Sequence, residues 1–480
     1  MNRNTQNLPE LDSLLRIDPE ETITLFPGKV EIGQSIYTAL AQIAAEELGV
    51  SLNRIKIIPA DTDHSANPSS TTGSNSIQSE GNAIRQAAAD ARHILLDLAA
   101  SHFQVPTDRL IVTDGIIKAQ DQNEQITYWD LLGGRKFETQ VTGIGVQKSP
   151  EHYAVVGGSA TKLNLQALVT GEPVFVHDLE VPNMVHARVV HPPGYRAHLL
   201  SVEEHTVTNM PGVLQIVKNG SFLGVIAERE EQAVNAAEAL RSNAQWENGP
   251  PLPSQSDLYD NLLRHPNQQA FLIVDGAPID GPVPPIATSP DATQTLKATY
   301  YRPYHMHASL GPSAALAHLN EGRLTVWSHS QGIHSLRGAL AQVLDLPQES
   351  LRVQHVEGSG CYGHNGADDA ALDAALLARA LPGRPVLLKW MREDEHAWEP
   401  YGSCMVVKMQ GDLGAGGNVS AWNHDVWSYT HSGRPRPLEG ASDLLSARHL
   451  NPAIPTPTRR PGKGSHSCIH RNADPLYTFS

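Results

Sequence analysis

The chain has 480 residues, of which 40% are hydrophobic and 18% are charged, and these fractions exclude a wholly disordered chain and a fibrous repeat. Its formal net charge of −15 argues against a nucleic-acid-binding protein, because phosphate contacts need a basic surface. Three cysteines without CxxC spacing exclude a disulfide scaffold and a four-thiolate iron–sulfur cluster. We find no apolar run long enough to span a membrane and no signal peptide, and therefore expect a cytoplasmic protein, the alternative being an assembly that faces the periplasm.

The first regular elements form a strand–helix–strand unit. ETITLF (21–26) and RIKIIP (54–59) predict strands. Apolar residues recur at helical spacing from Ile36 to Leu48 and predict a helix between the strands, which Gly49 ends.

A long polar loop follows this unit. DTDHSANPSSTTGSNSIQSEG (61–81) is rich in Ser, Thr, Asn and Gly, and a helix with apolar positions from Ile84 to Leu98 comes next. The free N–H groups at a helix N-terminus suit phosphate, and the loop is longer than a helix cap requires. We expect it to bind an anionic ligand, the alternative being a set of ordinary N-caps.

The middle of the chain changes in character. Residues 157–246 contain short mixed elements closed by the helix EQAVNAAEALRSNAQW (231–246), which indicates a compact α+β domain. Residues 247–290 are rich in Pro, Gly and Asn and are typical of a linker.

A second strand–helix–strand unit follows. LTVWSHS (324–330) and LRVQHV (351–356) predict strands on either side of a helix through Leu336. The glycine-rich loop EGSGCYGHNGADD (357–369) then leads into a helix over residues 370–381.

The two units share one plan, and each has a glutamine just before its first helix, Gln34 or Gln331. The helices also share the words ALAQI (39–43) and ALAQV (339–343). Coincidence is the alternative, but order and wording together favour a distant duplication. Two such copies would let their polar loops face one another across a shared anionic ligand.

Other candidate functional residues form weaker patterns. Gly358-x-Gly360-x-x-Gly363 matches a nicotinamide-binding GxGxxG motif, but no acidic residue ends a second strand about 20 residues later. Cys361 is a candidate reactive thiol or a small packing residue.

The close histidine pairs His305/His307 and His466/His470 are more typical of hydrogen-bonded histidines than of a metal site. Candidate acidic bases do not converge; they are Glu31, Asp61, Asp368, Asp369, Glu393, Asp394 and Glu395.

Several segments, taken as a set, resemble the large molybdopterin-binding subunit of the xanthine dehydrogenase/aldehyde oxidase family. The branch is that of isoquinoline 1-oxidoreductase-like and nicotinate dehydrogenase-like subunits. The segments are GKVEIGQSIYTALAQIAAEELGV (28–50), the polar loop with its helix start (61–87), YAVVGGSATKLNLQALVTGEPVFVHDLEVPNMVHARVVHPP (153–193), VWSHSQGIHSLRGALAQVL (326–344) and GSGCYGHNGADDAALDAALLARALPGRPV (358–386).

The resemblance implies an α+β molybdenum-cofactor-binding fold of two related halves with an inserted a/b hammerhead domain. The expected segments are an N-terminal arm (1–20), an N-terminal molybdopterin-binding segment (21–152), the hammerhead domain (153–248), a linker (249–292) and a first molybdopterin-binding region that is incomplete at its C-terminus (293–480).

The resemblance also implies a molybdenum hydroxylase that oxidises an aldehyde or an N-heterocyclic aromatic with water as the oxygen source. The implied cofactor is molybdenum-molybdopterin cytosine dinucleotide. The implied partner is a small 2Fe-2S subunit, and a further candidate partner is a cytochrome c or FAD subunit. The family's general-base glutamate lies beyond the matched region, so we expect the chain to be inactive alone, and a truncated non-catalytic remnant is the alternative.

The implied site residues are one residue near the metal and a set of residues that hold the cofactor. Gln331 would approach the molybdenum oxo ligand, and no residue of the chain is expected to ligate the metal. Ser35 stands where the family usually has glycine. The residues expected to hold the cofactor are Gly33, Gln34, Ser35, Thr72, Gly73, Ser74, Asn75, Ser76, Gly360, Cys361, Tyr362 and Gly363.

Overall fold

The computed structural model describes residues 9–120, 122–265, 272–274, 277–279, 285–428, 435 and 440–455. Its α-helices are α1 (Ile36–Leu48), α2 (Asn82–Phe103), α3 (Tyr128–Leu132), α4 (Leu165–Thr170), α5 (His205–Thr208), α6 (Glu230–Asn243), α7 (Leu258–Leu263), α8 (Ile333–Leu344), α9 (Ala367–Ala380) and α10 (Arg392–Trp398). Its strands are β1 (Leu15–Asp18), β2 (Thr22–Leu25), β3 (Ile55–Ile57), β4 (Leu110–Thr113), β5 (Ile116–Ala119), β6 (Gln125–Thr127), β7 (Val185–Val189), β8 (His198–Val202), β9 (Val213–Asn219), β10 (Phe222–Ala227), β11 (Ala244–Glu247), β12 (Leu272–Val274), β13 (Ala277–Ile279), β14 (Gln294–Arg302), β15 (Ala314–Asn320), β16 (Arg323–Ser328), β17 (Leu351–His355), β18 (Val386–Lys389), β19 (Met405–Leu413) and β20 (Val419–Ser428).

The first half packs α1 and α2 against a three-stranded sheet ordered β1-β2-β3. β2 and β3 are parallel, and α1 is the connection between them. Leu40 and Leu48 on α1 meet Ile84 and Leu95 on α2 in one buried core, because residues at helical spacing share a face. α1 ends at Gly49, which has a φ of 68°.

The second half repeats this arrangement at the edge of a seven-stranded sheet ordered β17-β16-β15-β18-β7-β10-β9. β16 and β17 are parallel, and α8 connects them as α1 connects β2 and β3. α9 follows the glycine-rich loop and is buried along most of its length. The predicted α+β fold of two related halves is therefore confirmed.

The sequence predicts a compact domain over residues 153–248, and the strands of this segment divide between two sheets, the larger of which also contains strands of the second half. β7 pairs with β18 in parallel, starting at Val185 and Val386, and β10 and β9 follow it in the same sheet. The pairing is long-range, so the local pattern could not show it. Strand β8 pairs separately with β11.

Two predicted irregular segments contain regular structure. The predicted arm over residues 1–20 includes β1, which pairs with β2 and buries Leu15 and Ile17. The predicted linker over residues 249–292 includes α7, whose Leu262 packs against Val406 of β19. In both places an apolar face finds a partner. Residues 1–8 and 456–480, which include Cys468, lie outside the described residues.

The two halves meet along β17. The backbone of residues 60–62 runs beside it: His355 N–H donates to Ala60 O (2.8 Å) and Thr62 N–H donates to Val353 O (3.0 Å). The junction brings the start of the polar loop beside the strand that leads into the glycine-rich loop.

Candidate functional site

The two N-terminal segments expected to bind a cofactor are joined by a buried lysine and a buried glutamate. Lys29 is fully buried, and its Nζ donates to the carbonyl oxygens of Ser69 (3.3 Å) and Ser70 (2.8 Å). The Glu80 carboxylate accepts from the N–H groups of Gly28 (2.6 Å) and Lys29 (2.8 Å). Burial raises the pKa of Glu80, although these backbone bonds and the Lys29 charge oppose the rise. The polar loop is thereby held against the turn that precedes α1.

Thr71 links both segments to the second half. Its hydroxyl accepts from Val30 N–H (2.9 Å), and its own N–H donates to the backbone carbonyl of Gln331 (2.7 Å). In return, Gln331 Nε2 donates to the Thr71 carbonyl (2.8 Å), and the Cys361 thiol donates to Gln331 Oε1 (3.3 Å). Gln331 is 7% exposed. An amide nitrogen carries two hydrogens, so one remains for a ligand.

The turn before α1 closes around an internal carboxylate. Gly33 and Ser35 are left-handed, with φ of 102° and 61°, and their N–H groups donate to Glu31 Oε1 at 3.0 and 2.9 Å. Converging N–H groups of this kind form an anion nest. Glu31 takes both donors, so a cofactor contact here stays a prediction that must rest on other atoms of the turn.

Gln34 is exposed, and its amide folds back on the turn before α1. Its Nε2 donates to Val30 O (3.0 Å), and its Oε1 accepts from Ile32 N–H (2.7 Å). Its place in the chain matches that of Gln331, but its amide reaches no residue of the other half within the described structure.

The loop from Thr72 to Ser76 faces solvent at the start of a helix. Gly73 and Ser74 are left-handed, with φ of 64° and 53°. Among the described residues, the N–H groups of Thr72, Gly73 and Ser74 donate to no partner, whereas Asn75 donates to Thr72 O. The π-helical turn Ile77–Gly81 continues into the 22-residue α2. Free donors at the positive end of a helix suit phosphate.

Two histidines restrict the glycine-rich loop after β17. A Cβ on Gly358 would lie 2.4 Å from His329 Nδ1, and a Cβ on Gly363 would lie 2.3 Å from the His307 ring. Gly363 also has a φ of 135°, which L side chains rarely adopt. A larger residue at either position would displace a packed imidazole.

The middle of this loop separates a buried thiol from an exposed ring. Cys361 is 4% exposed, and its thiol also lies 2.7 Å from the Gly363 carbonyl oxygen, which fits the packing role. Tyr362 is 67% exposed with a left-handed φ of 54°, and its ring lies over Gly360, where a Cβ would be 2.8 Å from it. The loop thus presents an aromatic ring to solvent.

Neutral histidines lie behind the loop. Burial lowers the pKa of His329 to about 3 and that of His355 to about 4, and it also lowers the pKa of His177. The ring nitrogens of His355 contact the carbonyl oxygens of Glu31 (2.8 Å) and Ser330 (3.2 Å). These rings therefore contribute shape and hydrogen bonds to the loops, and no positive charge.

The described residues contain no group of three or more His, Cys, Asp or Glu side chains that could hold a metal ion. His307 Nδ1 lies 3.7 Å from Glu399 Oε1, and His305 N–H bonds to Gly402 O. His466 and His470 lie outside the described residues.

One candidate acidic residue, Asp394, contacts the same histidine as Asp373, and the expectation that the candidate bases do not converge stays a prediction. His191 lies between Asp394 (Nδ1 to Oδ1, 3.2 Å) and Asp373 (Nε2 to Oδ2, 3.8 Å). Asp369, on the same helix as Asp373, accepts from Leu445 N–H (2.7 Å). Asp373 accepts from the Ser446 hydroxyl, so Asp369 and Asp373 fasten residues 445–446 to α9, which is a structural role.

Sequence patterns alone missed Lys29, Thr71 and Glu80. Each is an ordinary polar residue until the fold buries it. A signal was present in the sequence, because two charged residues stand beside apolar ones in GKVEIG (28–33). Charged residues within such an apolar segment are rarely buried without partners.

The nicotinamide alternative does not fit the topology. A dinucleotide-binding βαβ unit needs its second strand next to the first. Here β18, the strand after α9, is separated from β17 by β16 and β15.

Comparison with known proteins places both halves in one family. Residues 2–161 and residues 285–433 each match a molybdopterin cofactor-binding domain. A nicotinate dehydrogenase subunit from Pseudomonas putida is 36% identical over 435 residues, which cover 89% of this chain and 36% of that protein.

Two further relatives are more distant. A membrane-bound aldehyde dehydrogenase [pyrroloquinoline-quinone] of Gluconacetobacter polyoxogenes is 25% identical, over 85% of this chain and 54% of that protein. The beta subunit of isoquinoline 1-oxidoreductase from Brevundimonas diminuta is 23% identical, over 82% of this chain and 56% of that protein. The chain therefore spans between about a third and somewhat over half of the length of these relatives.

The two domain matches coincide with the two strand–helix–strand units and their loops. The chain belongs to the xanthine dehydrogenase family, in the branch that contains the nicotinate dehydrogenase and isoquinoline 1-oxidoreductase relatives.

Proposed function

We propose that this chain is the molybdopterin-binding part of a molybdenum hydroxylase that oxidises an aldehyde or an N-heterocyclic aromatic with water as the oxygen source. The observation that carries the proposal is the contact between two molybdopterin-binding domains through Thr71 and Gln331. The relatives' names, which include nicotinate, isoquinoline and aldehyde oxidoreductases, support the substrate class.

The residues present fit an anionic dinucleotide cofactor. The exposed N–H groups of Thr72, Gly73 and Ser74 would hold a pyrophosphate, with Asn75 and Ser76 beside them. Gly360, Tyr362 and Gly363 would border the pterin, and Gln331 would offer its remaining amide hydrogen to the cofactor. When bound, the cofactor supplies the two-electron redox chemistry. We propose the cytosine dinucleotide form.

This chain's own residues would orient the two cofactor loops and exclude water from the contact between them. Thr71, Gln331 and Cys361 keep the two loops in register, and Lys29 and Glu80 keep the polar loop in place. Because His329 and His355 are neutral, the negative charge of the cofactor would be compensated by backbone N–H groups and helix ends.

We further propose that electrons pass to a small 2Fe-2S subunit, then to a cytochrome c or FAD subunit, and that the assembly is cytoplasmic. Relatives are named as subunits, which supports an assembly of several chains. None of the described helices is long and apolar enough to cross a membrane. The proposed cofactor segments are 21–152, with the strand β1 added, and 293–480, with the hammerhead domain at 153–248 between them.

The test is to produce the protein in a host that makes molybdopterin and to identify what co-purifies. We expect molybdenum by mass spectrometry, a fluorescent pterin after oxidation, CMP after acid release, and an iron–sulfur subunit. Turnover of nicotinate, isoquinoline and benzaldehyde would then define the substrate. Recovery of pyrroloquinoline quinone, or of no pterin in any preparation, would contradict the proposal.

A further inference from the structure

We propose that Lys162 is a positioning residue that fixes the two cofactor loops relative to each other. Its Nζ lies 3.6 Å from Glu31 Oε1 and 3.6 Å from Glu357 Oε2. Glu31 fills the nest of the turn before α1, and Glu357 begins the glycine-rich loop. One ammonium group therefore joins a carboxylate of the first half to a carboxylate of the second.

The backbone around Lys162 is fastened independently of its side chain. Glu46 on α1 accepts from the N–H groups of residues 154–156 at 2.6 to 3.1 Å. Leu163 N–H donates to Thr38 Oγ1 (3.0 Å) on the same helix. The segment is thus held along α1 before it reaches the second half. A lysine on a fixed backbone loses less conformational freedom when it forms an ion pair than one on a mobile loop.

The two carboxylates need this cation because they are shielded from water. The side chains of Glu31 and Glu357 are 2% and 15% exposed, and that of Lys162 is 18% exposed. Burial raises the pKa of Glu357, the Lys162 charge lowers it, and the Glu31 charge raises it again. Without the lysine the carboxylates repel each other in a medium that screens them weakly.

Both glutamates also contact residues that belong to, or pack against, a loop, through the carboxylate and through the main-chain carbonyl. Glu31 accepts from the N–H groups of Gly33 and Ser35, and its carbonyl meets His355 Nε2 at 2.8 Å. Glu357 Oε1 accepts from Asn164 Nδ2 (2.6 Å), and its carbonyl accepts from Val176 N–H (2.8 Å). Movement of either carboxylate would therefore move a loop.

The test compares hydrogen exchange in the full chain for the wild type, Lys162→Met and Lys162→Arg. Met keeps the length and removes the charge, and Arg keeps the charge. Lys218→Met is the control, because Lys218 forms an exposed ion pair with Glu204 away from both loops. We expect about tenfold faster exchange at Gly33, Ser35 and Val176 in Lys162→Met only, since breaking a partly buried ion pair leaves two neighbouring carboxylates without a cation between them.

The double variant Lys162→Met/Glu357→Gln separates positioning from general stability. Gln keeps an oxygen for Asn164 but removes the repulsion with Glu31, so we expect at least half of the logarithmic change in exchange to be reversed. Exchange in the double variant as fast as in Lys162→Met, or unchanged exchange in Lys162→Met, would overturn the proposal.

The role of Lys162 in cofactor retention rests on the proposed function. A second measurement distinguishes failure of the positioning role from failure of the proposed function. We expect Lys162→Met to lose bound pterin about tenfold faster than the wild type and Lys162→Arg, in line with the weakened loop contacts. Equal retention in Lys162→Met would overturn the positioning role. A wild type that never holds pterin would overturn the proposed function. The exchange data would then test the positioning role of Lys162 by themselves.

Discussion

Gln34 and Gln331 occupy equivalent places in the two halves, each between a strand and the helix that follows it. Gln34 is exposed and its amide bonds within its own turn, whereas Gln331 is buried and its amide bonds to Thr71 of the other half. The glutamine side chain of the first half therefore bonds within its own segment, whereas the corresponding side chain of the second half joins the two halves. The difference arises from the partner that each turn meets, since the helices and strands around them correspond.

The glycines show the same contrast. Gly33 has a left-handed backbone with open space around its Cα, while Gly363 has a histidine ring against it. The first-half turn requires a conformation, and the second-half loop requires both a conformation and a close approach. We therefore expect the second half to be the less tolerant of substitution.

The largest effect is expected from paired glycine substitutions. Gly363→Ala should lower the free energy of unfolding by about 3 kcal/mol or more, because its Cβ would overlap the His307 ring and its φ is unfavourable. Gly33→Ala should cost only about 1–2 kcal/mol, the conformational cost alone. Guanidinium unfolding followed by circular dichroism measures both. Equal losses would contradict the contrast between the halves.

The glutamines are the next comparison. Gln331→Ala should cost about 2 kcal/mol, because it removes two hydrogen bonds and leaves the buried Thr71 carbonyl unpaired. Gln34→Ala should cost less than about 1 kcal/mol, because water can replace its bonds. The same unfolding experiment applies, with Gln331→Glu as an isosteric control. A larger loss for Gln34→Ala would show that the junction is misassigned.

Carboxylates in the two halves should respond oppositely to pH. Burial alone would raise the pKa of Asp90, but N–H groups of Gly143, Gly145 and Thr142 and the Gln86 amide bring it below its usual value. Its contribution to stability is therefore present above the ordinary pKa and is lost as the pH falls through the folded-state pKa. Asp90→Asn should cost about 1 kcal/mol at pH 7 and should flatten the loss of stability in acid.

Asp369 is the counterpart in the second half. Burial raises the pKa of Asp369, and the charges of Asp368 and Asp373 raise it further, while the Leu445 N–H bond opposes them. Stability therefore falls as the pH rises from the ordinary pKa toward the folded-state pKa. Asp369→Asn, which keeps an oxygen for Leu445, should raise stability at pH 7. Thermal melts between pH 3 and pH 8 test both variants, and effects of the same sign would refute the assignment.

The smallest effect concerns Ser35, which is left-handed where the family usually has glycine. Ser35→Gly should stabilise the fold by about 0.5 kcal/mol, because glycine relieves the left-handed cost at the expense of some chain entropy. The equivalent residue before α8, Gly332, has a φ of −149°, and a Cβ there would lie 2.3 Å from Ser70 Oγ, so close approach and not a left-handed backbone calls for glycine. Ser35→Ala is the control and should bring no gain. A destabilising Ser35→Gly would indicate that the hydroxyl has a role of its own.

Local patterns predicted the repeated unit because its signals lie within a few residues. Alternation marked β2 and β16, helical spacing marked α1 and α8, and the glycines marked the loop before α9. The pairing of β7 with β18 joins residues about 200 positions apart, and no local signal encodes it. The structure therefore merges two regions that composition separates.

Residue type singled out part of the candidate site for the same reason, and the contact of these residues with a cofactor stays a prediction. Gln331 and Thr72–Ser76 stood out by residue type, whereas Lys29, Glu31 and Lys162 are ordinary charges until three-dimensional contacts bury them. The two glutamines occupy matching places, as the sequence predicts, but they differ in burial because burial depends on contacts with the other half.

The central claim is that both halves hold one shared cofactor, and its stoichiometry tests that claim most directly. The amount of pterin released per chain, measured by fluorescence against protein from amino-acid analysis, should approach one. The amount of pterin per chain should decrease both in Gly73→Val, in the first half, and in Gly363→Ala, in the second. Two pterins per chain, or loss in only one of these variants, would contradict a shared site.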